Sequence, residues 1–274
     1  MTSRASTLAL LEQAGLAPKR KFGQNFVTDA NITAKIVRLA DVHRGDRVLE
    51  VGPGLGALTE ALLEGGALVR ALEIDAGLVG VLRARPELAA AQILEGDALE
   101  VDFDEVTPVE HAPWAMVANL PYNVATPLVL RVLEEVPQIT KQLVMVQAEV
   151  GERMAAKPGD EAYGAVSLRV DYHATAQVVG KVPPTVFHPR PKVDSALVAI
   201  TRRERPLVDP AVASEDEIFT LVRAGFAQRR KMLRRSLAGL VDDAAFEGAG
   251  VAPTARPEEL GVEQFAALAA ARRS

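Results

Sequence analysis

Residues 46–51, 67–74, 91–94, 114–119 and 139–147 form a succession of short apolar runs, with helix-length segments placed between them. Strands and helices in turn at this spacing predict βαβ units and a parallel sheet, and so an α/β fold. Open sheets of this kind bind ligands at the carboxyl ends of their strands. The residues at those ends therefore decide what the chain can do.

The first strand runs into Gly52-Pro53-Gly54-Leu55-Gly56, which opens a helix. Glycines there permit a tight turn and close approach of backbone to a ligand. Glu73 ends the second strand, where a carboxylate can accept from both hydroxyls of a ribose. These two features suit a dinucleotide or S-adenosylmethionine equally. The third strand separates them: Asp97, after Gly96, is placed to accept from the N6 amine of an adenine ring. A dehydrogenase would also need a hydride-transfer partner, and His43, His111, His173 and His188 occupy no strand end in this half.

The fourth strand ends in Asn119-Leu120-Pro121-Tyr122. Asn119 offers an acceptor oxygen and two donors. Pro121 has no N–H and pushes Leu120 towards an extended conformation, which can leave the Leu120 carbonyl pointing outward. Tyr122 adds a flat face. Two acceptors and a ring suit a planar base carrying an exocyclic amine; the same residues are also ordinary turn chemistry.

The 274 residues suffice for one large domain with a small one, and 49% hydrophobic with 24% charged residues is globular composition. The absence of Cys excludes a disulfide framework and thiolate metal sites, and no metal is expected. No apolar run spans a bilayer and residues 1–21 lack a signal-peptide pattern, so a cytoplasmic, non-membrane protein is expected. A net charge of −5 argues against nucleic-acid binding over the whole surface. Two local clusters are basic: Lys19, Arg20 and Lys21, and the run Arg223, Arg229, Arg230, Lys231, Arg234 and Arg235. Each suits either a solvated face or a phosphate-binding one.

After residue 147 the expected order is a polar helix, a helix over 163–172, strands over 176–182 and 195–201, and helices over 215–224, 229–240 and 262–272. The charged, Pro-containing stretch 202–209 reads as a linker. The expected domains are thus 1–204, α/β, and 205–274, helical.

Phe22-Gly23-Gln24-Asn25-Phe26, Glu50-Val51-Gly52-Pro53-Gly54, Glu73-Ile74-Asp75, Gly96-Asp97-Ala98, Asn119-Leu120-Pro121-Tyr122-Asn123, Phe187-x-Pro189-x-Pro191-x-Val193-Asp194-Ser195 and Phe226-Ala227-Gln228-Arg229-Arg230-Lys231 together resemble the rRNA adenine N6-dimethyltransferases. Within them the chain is most similar to the KsgA/RsmA small-subunit type. The resemblance implies a Rossmann-like class I methyltransferase sheet with a small C-terminal helical domain. It implies S-adenosylmethionine as cofactor, and small-subunit rRNA in the assembling 30S ribosomal subunit as partner, bound by a monomer. By the same resemblance Asn25 and the backbone of Val27 hold the methionine end of the cofactor, Gly52 and Gly54 its loop, Glu73 the ribose, Asp97 the adenine, and Asn119 the region near the sulfonium.

Catalysis is then expected from Asn119, Leu120, Pro121 and Tyr122, with Tyr122 stacked on a base out of its helix. Phe187 is expected either as the opposite wall of the base pocket or as a loop-anchoring core aromatic. Lys19, Arg20, Lys21, Arg223, Arg229, Arg230, Lys231 and Arg234 are expected to track phosphates. Two rivals stand beside this reading: the erythromycin-resistance type, which acts on large-subunit rRNA, and a non-catalytic assembly factor.

Overall fold

A computed structural model describes residues 3–272; the side chain of Arg20 also lies outside what is described. Its contacts divide the chain into two units, Met1–Gly151 with Gln177–Thr201, and Glu152–Ala176 with Arg202–Ser274.

The expected strands form, together with two unexpected ones of two residues each. In chain order they are β1 (Phe26–Val27), β2 (Arg47–Val51), β3 (Leu68–Glu73), β4 (Gln92–Glu95), β5 (Trp114–Asn119), β6 (Ile139–Gln147), β7 (Ala174–Val182), β8 (Phe187–His188) and β9 (Ser195–Arg202). Seven of them make one sheet in the order β4-β3-β2-β5-β6-β9-β7. The strands from β2 to β6 pair in parallel, as expected of the alternating pattern. The sheet is nevertheless mixed, because β9 runs antiparallel to β6, Lys141 facing Thr201 and Gln147 facing Ser195. A parallel neighbour needs a crossover, usually helical. The Pro-rich stretch 183–194 before β9 holds only a single 3-10 turn and the two-residue β8.

β8 pairs antiparallel with β1, Phe26 opposite His188 and Val27 opposite Phe187. This small ladder was not legible as strands, since each partner is only two residues long. One core joins Val48, Val69, Val117, Leu143 and Met145 of the sheet to Ile36 of the helix Ala30–Ala40 and Leu58 and Leu62 of the helix Ala57–Glu64. Each such side chain contributes about 1.5–3 kcal/mol by burial. The helix Ala30–Ala40 begins where Asp29 accepts from the Asn31 N–H at 2.9 Å, and Asp41 ends it in the left-handed region at φ 52°.

The second unit departs from the expected cut at residue 204. It takes in Glu152–Ala176 because the aromatic side chains there find their partners after residue 204. Tyr172 packs edge-on against Phe219 with centroids 5.7 Å apart, and Tyr163 Oη donates to the Leu260 carbonyl at 2.9 Å. Leu168, Leu221, Val222 and Phe265 complete that core. The unit is helical, with Ala165–His173, Glu215–Ala227, Leu233–Ser236, Asp243–Gly248 and Val262–Ala271.

The continuous helix expected over 229–240 does not form. Leu233 N–H and Arg234 N–H donate instead to the carbonyls of Ala255 and Pro253, at 2.8 and 3.0 Å, leaving one helical turn between irregular segments. Among the described residues no helix is long and apolar enough to cross a membrane.

Candidate active site

A cavity of about 720 Å³ opens at the carboxyl ends of β2, β3, β4 and β5. Asn25, Val27, Gly52, Gly54, Glu73, Asp97, Asn119, Leu120, Pro121 and Tyr122 all line it. The sheet order explains the gathering. Adjacent parallel strands present their C-terminal residues side by side, although the residues lie far apart in the chain.

The glycine loop holds its shape by φ values that side chains rarely adopt, 70° at Gly52 and 60° at Gly54. A Cβ on Gly54 would also stand 2.9 Å from the Phe26 ring. Gly52 N–H donates to the Leu72 carbonyl at 2.9 Å, tying the loop to β3. Gly54 N–H donates to Glu73 Oε2 at 3.1 Å, and Asp75 N–H donates to Glu73 Oε1 at 3.0 Å. Glu73 is 4% exposed, and burial pushes its carboxyl above the usual range against the pull of those two N–H groups. Each oxygen retains acceptor capacity for a diol.

Glu50, one residue before the end of β2, is more deeply placed, at 1% exposed. Burial, with the negative charge of Glu73 adding to it, pushes its carboxyl up to about 8, although Thr59 Oγ1 donates to it at 2.6 Å. Near neutral pH Glu50 is therefore largely protonated. It lines the cavity without having been assigned a role from sequence. Its position inside the strand, rather than its residue type, produces the shift.

At the tip of β5, Asn119 Nδ2 donates to the Asn25 carbonyl at 3.0 Å, and Asn25 Nδ2 donates to the Gly23 carbonyl at 3.0 Å. The first bond fixes the Asn119 amide. Only its nitrogen can face a carbonyl oxygen, so Oδ1 is the end left over. Leu120 N–H is used by the Met145 carbonyl at 3.1 Å, whereas the Leu120 carbonyl accepts nothing among the described residues. Asp97 Oδ1 accepts from Leu99 N–H at 2.8 Å, which leaves Oδ2. Tyr122 is half-buried, its hydroxyl 2.9 Å from Ser195 Oγ, and burial raises its phenol above the usual value.

The entrance loop is held by a buried acid. Asp75 accepts from Lys19 Nζ at 2.7 Å and from Gln24 Nε2 at 3.0 Å. Burial alone would raise the Asp75 carboxyl, but these hydrogen bonds and that of Gly77 N–H outweigh it and hold it below the usual range. Lys19 thus serves Asp75 first, which its place in a basic cluster did not disclose. Lys21 lines the cavity with its Nζ 4.5 Å from the Phe22 centroid. The Arg20 side chain lies outside the described residues.

Phe187 is not a wall of this cavity. It is 3% exposed, sits opposite Val27 in the small ladder and belongs to the core of the first unit.

In the second unit Arg223, Arg230, Lys231, Arg234 and Arg235 are exposed. Arg229 is exposed as well but paired: its Nε donates to Glu258 Oε2 at 2.6 Å and its Nη2 to the Glu161 carbonyl at 2.8 Å.

Together the cavity offers a diol acceptor at Glu73, a ring-amine acceptor at Asp97 and a glycine loop held at positive φ. Those acceptors and that loop fit an adenosyl cofactor. Asn119 Oδ1, the Leu120 carbonyl and the Tyr122 ring lie beyond these on the next strand.

Residues 15–271 match the family described as "Ribosomal RNA adenine dimethylase". The chain is 49% identical to a Cutibacterium acnes protein named Ribosomal RNA small subunit methyltransferase A, covering 96% of this chain and 91% of that one. It is 45% identical to the Moorella thermoacetica protein of the same name, covering 96% and 95%. Among solved structures, the 23S rRNA methyltransferase ErmE superposes with a TM-score of 0.71 at 27% identity, over 91% of this chain and all 100% of that one. A dimethyladenosine transferase from Plasmodium falciparum, at 24% identity and a TM-score of 0.72 over 89% and 95%, shares the fold.

Proposed function

The chain belongs to the ribosomal RNA adenine dimethylase family and is an S-adenosylmethionine-dependent rRNA adenine methyltransferase, and from that premise we propose that it dimethylates N6 of two adjacent adenines near the 3′ end of small-subunit rRNA. The observation that carries this reading is the tethered amide of Asn119, which keeps one oxygen free beside the free carbonyl of Leu120.

Glu73 would hold the ribose of the cofactor, Asp97 its adenine, the Gly52–Gly54 loop its backbone-facing side, and Asn25 with the Val27 backbone its methionine end. S-adenosylmethionine, when bound, supplies a methyl carbon made electrophilic by its sulfonium. The protein's own task is the nucleophile, because an adenine N6 lone pair is delocalised into the ring. Asn119 Oδ1 and the Leu120 carbonyl each accept one N–H and favour a pyramidal nitrogen with its lone pair turned towards the donor. Pro121 keeps the Leu120 carbonyl outward by fixing the turn. Tyr122 stacks on the flipped base, and its neutral phenol adds no anion to compete for the sulfonium. The proton released by the nitrogen passes to water, since neither amide oxygen is basic enough to keep it.

A small-subunit substrate is favoured by the names of the relatives at 45% and 49% identity, against the 27% of the large-subunit enzyme. The substrate is read as rRNA in an assembling 30S subunit, met by a monomer in the cytoplasm, with phosphates tracked by Lys21, Arg223, Arg230, Lys231 and Arg234. Methyl transfer from labelled cofactor to unmodified small and large subunits, followed by nucleoside analysis, tests it. Dimethyladenosine is expected in the small subunit alone. Label confined to the large subunit, or absent from both, overturns the reading.

A further inference from the structure

Ser195 is the first residue of β9 and is 0% exposed. Its backbone lies opposite Gln147 in the β6–β9 ladder, and the carbonyl of the preceding Asp194 accepts from Ala148 N–H at 3.0 Å. The sheet therefore fixes where its side chain can be. A hydroxyl buried this completely is destabilising unless it is hydrogen-bonded, and a strand start in a core would be served better by an apolar β-branched residue. Among the described residues the partner of Ser195 Oγ is the Tyr122 hydroxyl, at 2.9 Å. Ser195 does not line the cavity, whereas Tyr122 does.

A tyrosine ring turns on two torsions, and a bond to the hydroxyl acts at the end farthest from the backbone. We propose that Ser195 is a positioning residue, which sets the angle of the Tyr122 ring so that the target adenine finds a preformed face to stack on. The inference rests on the reading of Tyr122 given above. It makes the antiparallel strand β9 part of the active-site scaffold, although no residue of that strand reaches the cavity. Burial keeps the phenol protonated, so the bond persists at ordinary assay pH.

The test is a double-mutant cycle on the full-length protein with Ser195→Ala, Tyr122→Phe and the pair, assayed on unmodified small subunits beside thermal melting and calorimetric titration with S-adenosylmethionine. Each single change is expected to lower kcat about three- to tenfold while leaving cofactor affinity within about twofold, and the double variant should be no slower than the slower single. Tyr122→Phe breaks the same bond from the cavity side, so a folding defect in Ser195→Ala does not decide the matter. Wild-type kcat in Tyr122→Phe, or a double variant whose loss is the product of the two singles, overturns the proposal. A wild-type protein that transfers no methyl overturns the functional reading itself, and the positioning role with it.

Discussion

The Asn119 amide nitrogen is bonded to the Asn25 carbonyl at 3.0 Å, joining the tip of the fourth parallel strand to the loop that precedes β1. This one hydrogen bond orients the amide proposed to be catalytic and fixes the segment proposed to hold the methionine end of the cofactor. Asn119→Asp keeps an oxygen at the same place but sets a carboxylate oxygen against the Asn25 carbonyl. Repulsion there should turn the side chain, weaken S-adenosylmethionine binding and slow methyl transfer together, each by about tenfold or more, as read by calorimetry and single-turnover kinetics.

Glu73, proposed to hold the ribose of the cofactor, ties the glycine loop to β3 by accepting from Gly54 N–H. Glu73→Ala removes the diol acceptor and orphans two buried N–H groups. Hydrogen bonds to a charged group contribute about 1.5–3 kcal/mol, so cofactor affinity should fall by about 10- to 100-fold in a calorimetric titration.

Glu50 gives stability a pH dependence of definite sign. Its folded pKa, about 8, exceeds the ordinary glutamate value of 4.5. The folded state therefore binds the extra proton between those values, and the contribution is full below the lower one and lost as pH rises through the upper. The melting temperature of the cofactor-free protein should fall between about pH 5 and pH 8, and Glu50→Gln should flatten that slope. An unchanged slope in the variant would assign it to other groups.

Lys19 neutralises an aspartate that is 4% exposed, at 2.7 Å. Lys19→Met should leave Asp75 without its cation and raise its carboxyl. The depressed pKa makes its contribution present above the ordinary aspartate range and lost as pH falls through the folded value. The variant should melt lower at neutral pH, with the difference from wild type shrinking in acid.

Arg230, Lys231 and Arg234 are exposed cations. Replacing the three by Ala should weaken rRNA binding and reduce the salt dependence of the binding constant by about one counterion for each phosphate no longer neutralised. Arg229→Ala should instead lower the melting temperature as well, because its guanidinium holds Glu258 and the Glu161 carbonyl.

Much of the site was legible because strand ends in a parallel sheet collect residues that the chain spaces far apart. Gly52, Glu73, Asp97 and Asn119 could be placed together from strand order alone. What remained hidden depends on pairings across long sequence separations. Phe187 is a core residue because it pairs with Val27, and no local pattern records that register. The helix expected over 229–240 has suitable composition but yields to carbonyls of Pro253 and Ala255. The boundary at 204 followed a linker-like composition, whereas Tyr163 and Tyr172 belong with aromatics and carbonyls beyond it. Lys19 reads from the sequence as one of three cations on a phosphate-tracking or solvated face, and only the fold shows the aspartate beneath it.

The most direct test compares wild type with Asn119→Ala in single-turnover methyl transfer to unmodified small subunits, with cofactor affinity measured in parallel. Removing the oxygen proposed to accept from N6 should lower kcat by at least about tenfold, and dimethyladenosine should accumulate correspondingly slowly. Turnover near the wild-type rate in that variant would contradict the account, because the amine would then be held by something other than this amide.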